Sequence, residues 1–116
     1  MHEASHILVV DDDEGTCKLV ERILLKQGYR VTTTTNPLEV ERLVLTQDFK
    51  LIILGLIMPV LDGNAILQRL AARGDKTLVI VMSGNLPRLL PTTQVVATLS
   101  KPFQVAQVTG LVKQFA

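Results

Sequence analysis

Tryptophan is absent and aromatic residues make up only 3% of the 116 residues, so any core has to be aliphatic, built from Leu, Val and Ile. Cysteine occurs once, as Cys17, which excludes an internal disulfide and suits a reducing compartment. Neither sign of charge is in excess. Twelve basic against 11 acidic residues leave a net charge of +1, without the basic stripe that marks a nucleic-acid or anionic-membrane partner. A spanning helix needs about 18 consecutive apolar residues, and no stretch approaches that. The segment from Met1 to His6 is polar and the apolar run after it is too short for a signal peptide. His2 and His6 lie in that segment without the ligand spacing of a zinc site. What remains is one soluble, cytoplasmic domain over residues 1–116, with no linker, repeat or low-complexity segment.

Hydrophobic residues, at 47%, are enough for one buried core, and they come in short runs. Ile7-Leu8-Val9-Val10 is apolar on both faces, as a buried parallel strand requires, and stops at Asp11, Asp12 and Asp13. A helix follows from Glu14 to Gln27, with Leu19, Val20, Ile23 and Leu24 expected on its inner face and Gly28 as its C-terminal cap. Tyr29 to Thr35 is rich in β-branched residues and reads as a second strand. Asn36-Pro37-Leu38-Glu39 reads as a helix start, with Asn36 capping, Pro37 in the first position and Glu39 reaching back; that helix runs to Thr46.

Leu51 to Leu54 is a third strand, apolar throughout and hence central. Asn64 to Ala72 is a third helix, with Ile66, Leu67 and Leu70 inward. Leu78 to Met82 and Val95 to Leu99 are strands four and five, and a last helix runs from Gln104 to Phe115 with Val108, Leu111, Val112 and Phe115 as its core stripe. Between strands four and five, Pro87 and Pro91 argue against a full fourth helix and for a single turn or irregular loop. Strands alternating with helices imply an α/β fold: a doubly wound, five-stranded parallel sheet in the flavodoxin-like order 2-1-3-4-5, with helices on both faces.

In such a sheet the functional site lies beyond the carboxyl ends of the strands. There this sequence places Asp11 and Asp12 after strand one, Gly55 after strand three, Ser83 after strand four and Lys101 after strand five. Carboxylate oxygens suit Mg2+, while an ammonium and a hydroxyl suit phosphoryl oxygens. The set contains no evident nucleophile. Asp62 reads as a turn residue ahead of the third helix rather than a displaced acceptor, and Cys17 as a buried thiol.

Val9-Val10-Asp11-Asp12-Asp13, Met58-Pro59 with Asp62-Gly63, Met82-Ser83-Gly84 and Lys101-Pro102-Phe103 occur in order, each after an apolar strand. Together they resemble the response-regulator receiver domains of the CheY-like superfamily, from about Ile7 to Phe115. The resemblance implies that Asp12 holds Mg2+ directly, Asp11 through water, and the Ile57 carbonyl as a third ligand. It further implies that Ser83 and Lys101 bind the phosphoryl group, that the Lys101-Pro102 bond is cis, and that Thr98 stands at the aromatic switch position. It places Gly55 where the family carries its phosphoacceptor aspartate.

Glycine can neither attack phosphorus nor bind metal, so Mg2+ affinity is expected to be weakened or lost and Lys101 to pair with Asp12 or Asp11 instead. With acceptor, switch ring and fourth helix departing together, the expected role is that of a two-component pseudo-receiver. Such a module is non-enzymatic and phosphorylation-independent, and it binds a histidine kinase or a downstream signalling protein. No direct nucleic-acid or membrane contact is expected, and a homodimer would use the fourth-strand to fifth-helix face. Two alternatives stand beside this. Gly55 is an engineered replacement in an ordinary phosphorylated receiver, or Asp11 and Asp13 serve a haloacid-dehalogenase-like phosphatase. The latter lacks the further acidic pair it needs, because no Asp or Glu lies between Pro102 and Ala116.

Overall fold

Short aliphatic runs become strands because every side chain in them finds a covered face. The computed structural model describes residues 4–56, 58, 60–84 and 94–116. In chain order the elements are β1 (His6–Val10), α1 (Glu14–Lys26), β2 (Arg30–Thr34), a 3-10 turn (Pro37–Glu39), α2 (Val40–Thr46), β3 (Leu51–Gly55), α3 (Gly63–Ala72), β4 (Leu78–Ser83), β5 (Val95–Ser100) and α4 (Val105–Phe115). All strand pairs are parallel and the sheet order is β2-β1-β3-β4-β5, as expected for a flavodoxin-like α/β fold.

Alternation along the strands builds two cores. Ile7, Val9, Leu51, Ile53, Ile80 and Met82 face α1 and α4 and pack with Val20, Leu24, Val108 and Val112. Leu8, Val10, Ile52, Leu54, Val79 and Val81 face α2 and α3 and pack with Leu43, Ile66, Leu67 and Leu70. Burying each Leu or Ile is worth roughly 1.5–3 kcal/mol, and the central strand β3 is buried along its whole length. The helices stop where the sequence lets the chain reverse. Gly28 and Gly74 adopt positive φ, with paired hydrogen bonds from Gly28 and Tyr29 to Leu25 and Leu24, and from Gly74 and Asp75 to Ala71 and Leu70. These are two Schellman closures.

Three local expectations are corrected. Leu19 is 48% exposed, and the inner stripe of α1 is Cys17, Val20, Ile23 and Leu24. The helix is rotated toward Cys17, which lies over the end of β1, and Leu19 falls at the rim of that arc. The segment after Asn36 is a 3-10 turn before it becomes α-helical. Asn36 accepts the Leu38 N–H at 3.0 Å, but the Glu39 carboxylate pairs forward with Arg42 at 3.0 Å instead of reaching back. His6 is the first residue of β1, not part of a polar tail. Its Nε2 lies 2.7 Å from Thr32 Oγ1 and its ring 4.6 Å from that of Phe49. The single turn or irregular loop expected around Pro87 and Pro91 lies outside the described residues.

Candidate functional site

Strands that end level with one another bring distant residues to a single edge. Val10 aligns with Leu54, Gly55 with Met82, and Ser83 with Ser100. The register is carried past the strand ends by the Leu56 N–H donating to the Met82 carbonyl at 3.0 Å and the Lys101 N–H donating to the Ser83 carbonyl at 2.9 Å. Asp11, Gly55, Ser83 and Lys101 are thereby gathered although they are far apart in the chain. The Lys101-Pro102 bond is cis. Thr98 is on β5, paired with Val81 and exposed. Ile57, expected to offer its carbonyl to a metal, lies outside the described residues.

The centre of this edge is an ion pair. Lys101 Nζ donates to Asp11 Oδ2 at 2.7 Å, with the Asp11 side chain 1% exposed and that of Lys101 32% exposed. The other carboxylate oxygen, Oδ1, accepts the Asp13 N–H at 2.9 Å. Both oxygens of a buried carboxylate are therefore engaged, as a charge at this depth requires. The Asp11 backbone is held as well. Its N–H donates to the Thr34 carbonyl at 3.3 Å, and its own carbonyl accepts Cys17 Sγ–H at 3.3 Å. Burial, then the negative charge of Asp11, push the Cys17 thiol up to about 11, so this cysteine is a packed thiol and not a thiolate at neutral pH.

Gly55 faces that pair directly. A Cβ added at residue 55 would stand 2.9 Å from Asp11 Oδ2 and 3.3 Å from its Cγ. The space next to the missing side chain is thus filled by the Asp11 carboxylate in its bond to Lys101. Gly63 shows the same crowding from the other side. Its N–H donates to the Leu56 carbonyl at 2.7 Å, and a Cβ there would meet the Gly55 carbonyl oxygen at 2.6 Å. The Gly63 contact was not foreseen. The Asp62-Gly63 pair ahead of a helix was the available signal, because a glycine at a helix start permits close approach of backbone.

The remaining acids divide by role. Asp12 is exposed, and desolvation followed by repulsion from Asp11 raises its carboxyl above the ordinary value. Asp13 caps α1, its Oδ2 accepting Thr16 Oγ1–H at 2.7 Å and Thr16 N–H at 3.3 Å, and these bonds hold its carboxyl below the ordinary value. Asp62 caps α3, accepting the Ala65 N–H at 2.9 Å. Ser83 is buried at the end of β4. No group of three or more His, Cys, Asp or Glu among the described residues is arranged to hold a metal ion. A depression lined by His6, Arg30, Gln47, Phe49 and Lys50 lies at the amino ends of the strands, at the opposite edge of the sheet.

Comparison with known proteins gives one answer. The family model for the response regulator receiver domain matches residues 7–113. The chain is 28% identical over 113 residues to sporulation initiation phosphotransferase F of Bacillus subtilis, covering 94% of this chain and 91% of that protein. It is 33% identical over 76 residues to the probable transcriptional regulator ycf27 of Cyanidium caldarium, covering 66% of this chain but only 30% of that regulator's length. Among solved structures, response regulator protein TrrA of Thermotoga maritima, in complex with Mg2+ and BeF, superposes with a TM-score of 0.86 at 22% identity. The match covers 97% of this chain and 99% of that one.

Proposed function

The chain belongs to the response regulator receiver domain family, and from that membership we propose that it is a two-component signalling module that takes no phosphoryl group at residue 55. On this reading it has no enzymatic activity of its own and acts through a protein partner, a histidine kinase or a downstream signalling protein. The observation that carries the reading is Gly55 itself, at the carboxyl end of the central strand, with the Asp11–Lys101 pair closed against it. A glycine has no side-chain oxygen to offer phosphorus or Mg2+, so metal affinity is weakened with it. Thr98 supports the same reading: at this exposed position on β5 it has no ring to swing inward. The partner surface proposed is α4 with β5, where Val105 is exposed and Val95, Val96 and Ala97 are half-buried.

The test is to incubate the protein and a Gly55→Asp variant with Mg2+ and a small acyl-phosphate donor and weigh both intact. The protein is expected to gain no phosphoryl mass. A gain would overturn the reading and send the search for an acceptor to Asp12 or Asp62. A gain confined to the variant would identify residue 55 as the sole lesion. Because an aspartate at 55 must first displace the Asp11 carboxylate, slow or partial labelling of the variant is the expected form of that result.

A further inference from the structure

The divalent cation that a receiver site implies does not fit the side chains described here, and we infer that the Lys101 ammonium has taken its place as the resident cation of Asp11, so that the site is blind to Mg2+. The inference rests on the reading of Gly55 as a lost acceptor and goes past weakened affinity to name what blocks the metal. Mg2+ demands near-octahedral oxygen ligation at about 2.0–2.1 Å and sheds its waters reluctantly. Of the two Asp11 oxygens, Oδ2 is held by Lys101 Nζ at 2.7 Å and Oδ1 by the Asp13 N–H at 2.9 Å. A metal on Oδ2 would have to stand beside an ammonium already bonded to it, and like charges at that separation repel strongly in a buried setting. Residue 55 supplies no compensating carboxylate, and Asp13 is committed to capping α1. Among the described residues that leaves Asp12, exposed beside Asp11 and repelled by it, and one such carboxylate is a poor magnesium site.

The ammonium has two advantages over a metal in this place. It arrives with the fold, positioned by the Lys101 N–H bond to the Ser83 carbonyl, and it needs no free ion. It also neutralises the buried Asp11 charge one for one. The edge of the sheet is therefore closed by a tethered cation that needs no metal ion.

The experiment is a titration of the isotope-labelled protein with Mg2+, and separately with Mn2+, read by amide shifts and paramagnetic broadening at Asp11 to Glu14, Gly55 and Lys101. The protein is expected to show no saturable shift at millimolar Mg2+ and no broadening centred on Asp11. Saturable binding there would overturn the inference while leaving the phosphorylation reading intact, since that reading is judged by mass alone. Lys101→Met and Lys101→Gln, which remove the ammonium, are expected to gain saturable Mg2+ shifts at Asp11 and Asp12, while Lys101→Arg stays blind. Should the uncharged variants unfold without metal, Mg2+ is expected to restore their folded spectra. Failure of Mg2+ either to bind or to restore both uncharged variants would overturn the inference, because another cation would then be unable to stand where the ammonium stood.

Discussion

Val60 has φ at +71° and is 86% exposed, so a β-branched residue is held in the left-handed region with almost nothing packed on it. That conformation costs a non-glycine residue about 1–2 kcal/mol, and no burial at this site offsets it. Val60→Gly is therefore expected to stabilise the protein, by about 1 kcal/mol once the extra freedom of glycine in the unfolded chain is subtracted. Urea unfolding checks this: the midpoint should rise with the slope unchanged. Nothing in the sequence announced this strain, because the family-like turn after Met58 was legible while the backbone angle inside it was not. Gly55 is the converse case. Its position at the end of an apolar run, among motifs that resemble a receiver's, was enough to mark it, since the informative fact was a side chain that the resemblance leads one to expect.

At the scale of elements, the helices were placed by signals with a direct mechanism: Gly28 beyond the end of the first, Asn36 and Asp62 before the starts of the next two. Asp62 is the sharpest of these, because the turn-residue reading matches an observed N-cap on α3. Asp62→Ala should cost about 1 kcal/mol, and Asp62→Ser or Asp62→Asn should recover most of it. Thermal unfolding of the three variants would show this, and equal losses in all three would mean that the carboxylate has some role other than capping. The inner face of α1 was less legible. Leu19 and Cys17 are both compatible with a helical stripe, and the choice was made by tertiary contact, with Cys17 seated against the Asp11 and Thr34 carbonyls. Periodicity finds a stripe but does not fix its rotation against a neighbour that is distant in sequence. The 3-10 start of the second helical segment was hidden for a similar reason, since Pro37 and Asn36 suit either helix type.

Across the whole molecule, sheet order and the gathering of Asp11, Gly55, Ser83 and Lys101 at one edge were readable because each apolar run ends at or just before its site residue. Which carboxylate Lys101 would take was left open between Asp11 and Asp12, and burial decided it: the ammonium is bonded to the buried Asp11, while Asp12 is exposed. The opposite edge carries a pH response of its own. His6 sits among Phe49, Thr32 and Arg30, and burial, then the Arg30 charge, lower its pKa below the ordinary 6.5. The folded state thus favours neutral imidazole. The stability this confers is full above pH 6.5 and is lost as pH falls from there through the folded value. Denaturation midpoints should therefore drop over that window in the protein and hold flat across it in His6→Gln.

The Asp11–Lys101 contact joins residues 90 positions apart, and in the order β1-β3-β4-β5 the lysine's strand lies three places from the aspartate's. The ammonium can reach its carboxylate only after β3 and β4 have been laid between them. So distant a closure costs chain entropy before it returns any energy, and this pair, at the outer edge of the sheet, is expected to form on the native side of the folding barrier. Loss of the Lys101 charge should then appear almost wholly as faster unfolding, with the refolding rate little changed. A stopped-flow chevron would resolve the two limbs. The pair would then govern how long the folded edge lasts rather than how quickly it assembles.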